Sequence, residues 1–89
     1  MPHIKIPTPL RGFTGGQAMV DVGGETIGDA LNHLVEQFPD LEQHLFQDGE
    51  LRNFVRIYKG QDDISQLDGL NTPIDENVNL RIIPTIAGG

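Results

Sequence analysis

Between Thr26 and Pro39 the chain carries six apolar residues, Ile27, Ala30, Leu31, Leu34, Val35 and Phe38, at spacings of three, one, three, one and three. That spacing places all six on one stripe of an α-helix. Thr26 followed three residues later by Asp29 has the spacing of a helix start, and Pro39 disfavours helical backbone at Phe38, so the helix stops there. Each large side chain of the stripe gains about 1.5–3 kcal/mol by leaving water. A chain of 89 residues makes one small domain. The rest of it must therefore supply a single apolar surface that this helix can cover.

Alternating segments on either side supply that surface. Ile4, Ile6, Thr8 and Leu10 alternate with Lys5, Pro7, Pro9 and Arg11, which predicts a strand with one buried face. Pro7 and Pro9 remove N–H donors on one side, so part of that strand is expected at an edge or a bulge. Residues 12–16 form a turn, and Ala18, Val20 and Val22 return antiparallel. After the main helix, Asp40 and Gln43 repeat the capping spacing, which predicts a short second helix with Leu41 and Leu45 one turn apart. Asp48-Gly49-Glu50 reads as a loop. Phe54 to Tyr58 alternates again, with Val55 and Ile57 on the core side and Phe54, Arg56 and Tyr58 opposite. Ile64, Leu67, Leu70 and Ile74 anchor a polar connection, and Leu80 and Ile82, flanked by Val78 and Ile83, form a last strand that runs out at Pro84.

The order is hairpin, long helix, short helix, strand, connection, strand. In so short a chain it predicts an α+β fold of the β-grasp, or ubiquitin-like, kind, with a mixed sheet packed against one main helix. The first and last strands are expected to lie parallel at the centre. Residues 1–84 are expected to form the domain and residues 85–89 a flexible C-terminal Gly-Gly tail.

Composition removes several classes of function. Six basic and thirteen acidic side chains leave a formal net charge of −7. Affinity for phosphate polymers comes chiefly from Lys and Arg, so neither a nucleic-acid nor an anionic-membrane partner is expected, and a partner with a basic face is. Lys5 and Lys59 are far apart in sequence, and no basic patch is expected. The absence of Cys excludes disulfides, thiolate metal ligands, cysteine nucleophiles and any persulfide carried on the chain. Residues 1–5 lack a signal-peptide apolar region, and no apolar run approaches the roughly 18 residues of a membrane span, so cytoplasmic residence is the expectation.

No catalytic constellation emerges. His33 and His44 fall on different helices, and His33 lies on the polar side of its own, where a solvated surface role is expected. Asp62 and Asp63 read as turn residues rather than a hard-cation site. Ser65 has no placed base. Neither Gly15-Gly16 nor Gly23-Gly24 is followed by the Lys-Ser/Thr of a phosphate loop. No metal and no bound cofactor are expected, and the chain is not expected to be an enzyme.

What remains is Pro84-Thr85-Ile86-Ala87-Gly88-Gly89. Taken alone, a Gly-Gly ending reads as a frayed terminus. Fully extended, the five residues beyond Pro84 reach roughly 17 Å, enough to carry a carboxylate into another protein's cleft. Ala87, Gly88 and Gly89 have little or no side chain to obstruct entry.

Ile6-Pro7-Thr8, Leu10-Arg11, Thr14-Gly15-Gly16-Gln17, Phe54-Val55, Ile57-Tyr58, Gly69-Leu70, Ile83-Pro84 and Ala87-Gly88-Gly89 occur in the order seen in the ubiquitin-like sulfur carriers of the MoaD/ThiS family. The chain resembles that family over nearly its whole length, and most resembles its CysO-type branch, which serves an actinobacterial route to cysteine. The resemblance implies a protein cosubstrate. An adenylyltransferase/sulfurtransferase related to ubiquitin-activating enzymes would use ATP to adenylate the Gly89 carboxylate, and a sulfur donor would convert it to a thiocarboxylate. It also implies threading of Ala87, Gly88 and Gly89 into partner active sites, a pyridoxal-phosphate cysteine synthase as sulfur acceptor, and a zinc peptidase that releases cysteine. A molybdopterin-synthase small subunit, another sulfur donor of the family, and a modifier conjugated to lysines through Gly89 are the alternatives.

Two further expectations concern the sheet. Phe54, Tyr58 and Ile83 fall opposite the core faces and are candidates for partner docking. Relatives often carry an Asp-Gly-Asp turn before the last strand where this chain has Glu76-Asn77-Val78, so Asn77 is expected to take the left-handed conformation there.

Overall fold

The computed structural model describes residues 2–52 and 54–84. Strand β1 (His3–Lys5) lies between β2 (Met19–Asp21), to which it is antiparallel, and β7 (Asn79–Pro84), to which it is parallel. Beyond β7 come β5 (Val55–Lys59) and the two-residue β6 (Asp62–Asp63), both antiparallel to their neighbours. The sheet order is β2-β1-β7-β5-β6, with the parallel pair central, as the element order predicts.

Helix α1 (Ile27–Gln37) crosses one face. The Thr26 hydroxyl accepts the Asp29 N–H at 3.2 Å, and Asp29 Oδ2 accepts the Glu25 N–H at 3.2 Å. Two of the free donors at the helix start are thus satisfied. Ile27, Ala30, Leu31 and Leu34 are buried, with Val35 and Phe38 half-buried at the margin. They meet Ile4, Ile6, Val20, Val22, Val55, Ile57, Leu80 and Ile82 from the sheet in one cluster. Leu41 and Leu45, from the turn of 3-10 helix Pro39–Leu41 and helix α2 (Glu42–Leu45), close its end. The predicted Asp40 cap is not made: neither short helix has a side-chain cap.

Several expectations require correction. The first strand ends at Lys5, and Thr8–Phe13 is a 3-10 helix with Pro7 at its N-cap. The alternation of residues 4–10 ends at Ile6: Thr8 is exposed, and Leu10 is buried from the helical turn. The prolines therefore cost the sheet nothing, because they come after strand pairing has ended. Asp48 and Gly49, both at positive φ, are the turn of a small hairpin, β3 (Phe46–Gln47) with β4 (Glu50–Leu51), rather than an open loop. Positive φ at both central residues is what a two-residue hairpin of this hand requires. Leu67 is exposed instead of anchoring its connection. Asn77 is not left-handed; Asp75 holds that turn, its Oδ1 accepting the Asn77 N–H at 2.9 Å.

Candidate functional site

Strand β7 delivers the end of the chain. Its Leu80 and Ile82 point into the core, so Arg81 and Ile83 fall on the outer face of the sheet, away from α1. β1 pairs with the first half of β7, Asn79 to Arg81, and β5 with Leu80 to Pro84, so that Pro84, its last residue, stands opposite Val55. The Gly89 terminus and the threading residues Ala87 and Gly88 lie outside the described residues, whereas the strand that leads to them is central and buried on one face.

The three docking candidates separate. Tyr58 and Ile83 lie on the outer face, half-buried, opposite Arg81 and Arg56 respectively. The Arg81 guanidinium lies 5.3 Å from the Tyr58 ring centre and donates to the Gly60 carbonyl at 3.1 Å. Phe54 is not on that face. The Val55 N–H bonds the Arg52 carbonyl at 3.0 Å, a turn that interrupts the alternation before the strand begins. Phe54 packs against the edge of the core instead, with Arg52 over its ring at 5.8 Å.

A basic patch, unexpected from the sequence, does form. Lys5, Arg11 and Arg81 line a cleft of about 310 Å³ together with Pro7, Ile83 and Pro84. Lys5 and Arg81 are register partners across β1 and β7. Arg11, on the 3-10 helix, reaches back so that its Nε donates to the Ile6 carbonyl at 3.0 Å. No acidic side chain lines the cleft, and among the described residues the ion pairs are His3 with Asp21 and Arg56 with Asp63.

The remaining polar candidates have structural partners. His33 Nδ1 accepts the Gly23 N–H at 2.6 Å, tying α1 to the end of the hairpin, so it is not simply a solvated residue. The His44 ring stacks on Phe13, with centres 4.3 Å apart. Asp63 belongs to β6 and caps the following 3-10 helix, its Oδ1 accepting the Ser65 N–H at 2.9 Å. That hydrogen bond outweighs the opposing effect of burial and, with smaller help from the Ser65 hydroxyl and the Arg56 guanidinium, holds the Asp63 carboxyl below its usual range. Among the described residues no group of three His, Asp or Glu could hold a metal, and no helix is long and apolar enough to cross a membrane.

A five-stranded mixed sheet with a central parallel pair, crossed by one helix, defines a ubiquitin-like β-grasp protein. Residues 4–89 match the ThiS family, and the chain belongs to it. It is 35% identical over 89 residues to the sulfur carrier protein CysO of Mycobacterium tuberculosis, covering 97% of this chain and 96% of that one. A chain of the crystal structure of the Amycolatopsis orientalis BexX/CysO complex superposes with a TM-score of 0.92 at 27% identity, covering all of both chains. The solution structure of small archaeal modifier protein 1 from Methanosarcina acetivorans gives 0.88 at 25% identity, covering 99% of this chain and 95% of that one.

Proposed function

We propose that this chain is a sulfur carrier of the CysO type, a protein cosubstrate whose chemistry takes place on the α-carboxylate of Gly89. The observation that carries this reading is the likeness to CysO over 97% of the chain, ending in Gly88-Gly89, joined to a central strand that stops at Pro84. Residues 1–84 serve as the rigid base and 85–89 as the tail.

The chemistry follows from the weak electrophilicity of a carboxylate. A carboxylate oxygen of Gly89 attacks the α-phosphorus of ATP on an adenylating partner and pyrophosphate leaves. Hydrosulfide, or a donor that delivers sulfur at that oxidation level, then attacks the acyl carbon of the adenylate, AMP departs with the C–O bond electrons, and loss of the sulfur-bound proton leaves the thiocarboxylate. Ala87, Gly88 and Gly89 pass through a narrow entrance without steric cost. With no Cys on the chain, no internal thiol competes for the activated acyl group. The thiocarboxylate is itself a good sulfur nucleophile for a pyridoxal-phosphate cysteine synthase, with a zinc peptidase releasing the product. Tyr58 and Ile83, with Phe54 at the border, form the docking face for the adenylating partner. On this reading the carrier works in the cytoplasm, with ATP consumed by the partner and no cofactor on the carrier.

Mass spectrometry of the protein from its native host tests the reading. An oxygen-to-sulfur replacement at the terminus is expected. Sulfur transfer that survives removal of Gly89 would sink it. The likeness to an archaeal modifier protein favours a second reading, conjugation through Gly89 to protein lysines, whose mark is a branched lysine peptide.

A further inference from the structure

We propose that the cationic cleft at the foot of β7 is the seat of an acidic, extended segment of the adenylating partner, which fixes the direction in which the tail leaves the sheet. This rests on the carrier reading above. The cleft holds three of the chain's six Lys and Arg and none of its thirteen Asp and Glu. On a molecule of net charge −7 such segregation is a local inversion of sign. The wall focuses that field toward whatever enters.

None of the three charges is paired with a carboxylate of the described residues. Arg11 and Arg81 each donate to a neutral backbone carbonyl, of Ile6 and Gly60, and Lys5 is exposed. Those hydrogen bonds restrain the two guanidinium groups without neutralising them. With a net charge of −7 over the chain, an acidic partner is drawn most to the place where three cationic side chains converge without an acidic one, which orients the encounter.

Position gives the charge its use. Ile83 and Pro84 line the same cleft, so a segment seated there touches the last two residues of the strand from which the tail departs. Apolar contact at Ile83 and Pro84 combined with carboxylates toward Lys5 and Arg11 describes an extended chain bearing Asp or Glu beside a small apolar side chain. A basic partner face, which the net charge alone predicts, does not fit at this point of the surface.

Adenylation by the cognate enzyme of the same organism, followed by ATP–pyrophosphate exchange, tests the proposal together with carbodiimide cross-linking of the complex. Lys5→Gln with Arg11→Gln is expected to raise KM for the carrier about tenfold at low salt with kcat unchanged, and the difference shrinks as salt screens the pair. Lys5→Gln alone, at an exposed position, should give part of that rise without loss of the Arg11 anchor. Gln66→Glu, which changes net charge by the same amount as Lys5→Gln on an exposed 3-10 helix, should leave KM unaltered. The zero-length cross-linker should join Lys5 Nζ to an Asp or Glu of the partner. Unchanged KM in the cleft variants, an equal rise in Gln66→Glu, no Lys5 cross-link, or a cross-link to the Gly89 carboxylate of this chain or a second copy each overturns the proposal. A wild-type chain that the enzyme does not adenylate instead overturns the carrier reading itself.

Discussion

Ile4 of β1 and Leu80 of β7 stand side by side as register partners in parallel strands, 0% and 1% exposed, so the start and the end of the chain are joined through the core. Parallel neighbours need a crossover, and everything from β2 to the last turn serves as that crossover. Leu80→Ala should therefore destabilise the fold by about 2–5 kcal/mol, the loss expected when a buried leucine is cut back. Urea unfolding measures it, and Met19→Ala, at a 53% exposed position, should stay within about 0.5 kcal/mol of wild type.

The start of α1 is capped by the Thr26 hydroxyl, which accepts the Asp29 N–H, while the Asp29 carboxylate accepts the Glu25 N–H. Thr26→Ala leaves the Asp29 N–H without its acceptor and should cost about 1 kcal/mol, while Thr26→Ser should retain most of the stability. A Thr26→Ala protein as stable as Thr26→Ser in denaturant melts would show that the cap contributes nothing.

Much of this frame was legible because it is written in local spacing. The α1 stripe and the alternation at Val55–Ile57 and Leu80–Ile82 reappear as buried faces, and the Thr-x-x-Asp start reappears as a capping hydrogen bond. Residues 7–11 read as a continuation of the strand because Ile4, Ile6 and Leu10 fit a two-residue period, although Leu10 reaches the core by a helical turn. The fixed φ of Pro7 and Pro9 is compatible with both forms, so the pattern alone does not separate them. The cationic cleft was invisible for a different reason: positions 5, 11 and 81 meet only when β1 pairs with β7. Spacing along the chain fixes the order of strands but does not report which charges become neighbours across the sheet. His33 was assigned to solvent by helix face; its Gly23 partner belongs to the preceding loop. Phe54 was displaced by a single turn at Arg52, which no period of two reveals.

Gly24 sits at φ +131°, and a β-carbon there would lie 2.4 Å from the Asp29 side chain and 3.1 Å from backbone of the first helical turn. Both the backbone conformation and the space oppose substitution, so Gly24→Ala should cost at least about 1–3 kcal/mol. Gly12 has nothing within 4 Å of the same position and no positive φ. Gly12→Ala should leave the unfolding midpoint nearly unchanged, and equal midpoints for the two variants would contradict the packing described here.

Asp63 carries a pH dependence whose sign is set by its partners. The Ser65 N–H and, less strongly, Arg56 favour the carboxylate, so the folded-state pKa lies below the ordinary 3.8. The folded state then binds this proton less readily than the unfolded state does. The resulting stabilisation is fully present above 3.8 and is lost as pH falls through the lower folded value. Asp63→Asn should be less stable than wild type near neutral pH, and the gap should close in acid. Denaturant midpoints at neutral pH and well below pH 3.8 provide the check; a gap of constant size would remove the carboxylate from the explanation.

Ile83 lies where the proposed docking face and the cationic cleft meet, half-buried, opposite Arg56 and one residue before Pro84. Because its side chain points away from α1, Ile83→Asp should keep the fold, with a stability change of no more than about 1 kcal/mol. It removes an apolar contact and also places a carboxylate among Lys5, Arg11 and Arg81, so adenylation of Gly89 should weaken through a higher KM. Ile83→Lys separates the two effects, since it removes the same apolar contact while leaving the cleft cationic. If only apolar contact matters, both variants should weaken adenylation equally. If the cleft holds an acidic segment, Ile83→Lys should fall between wild type and Ile83→Asp, and the interval should narrow as salt is added. Unchanged adenylation kinetics for Ile83→Asp would take this residue out of the docking face.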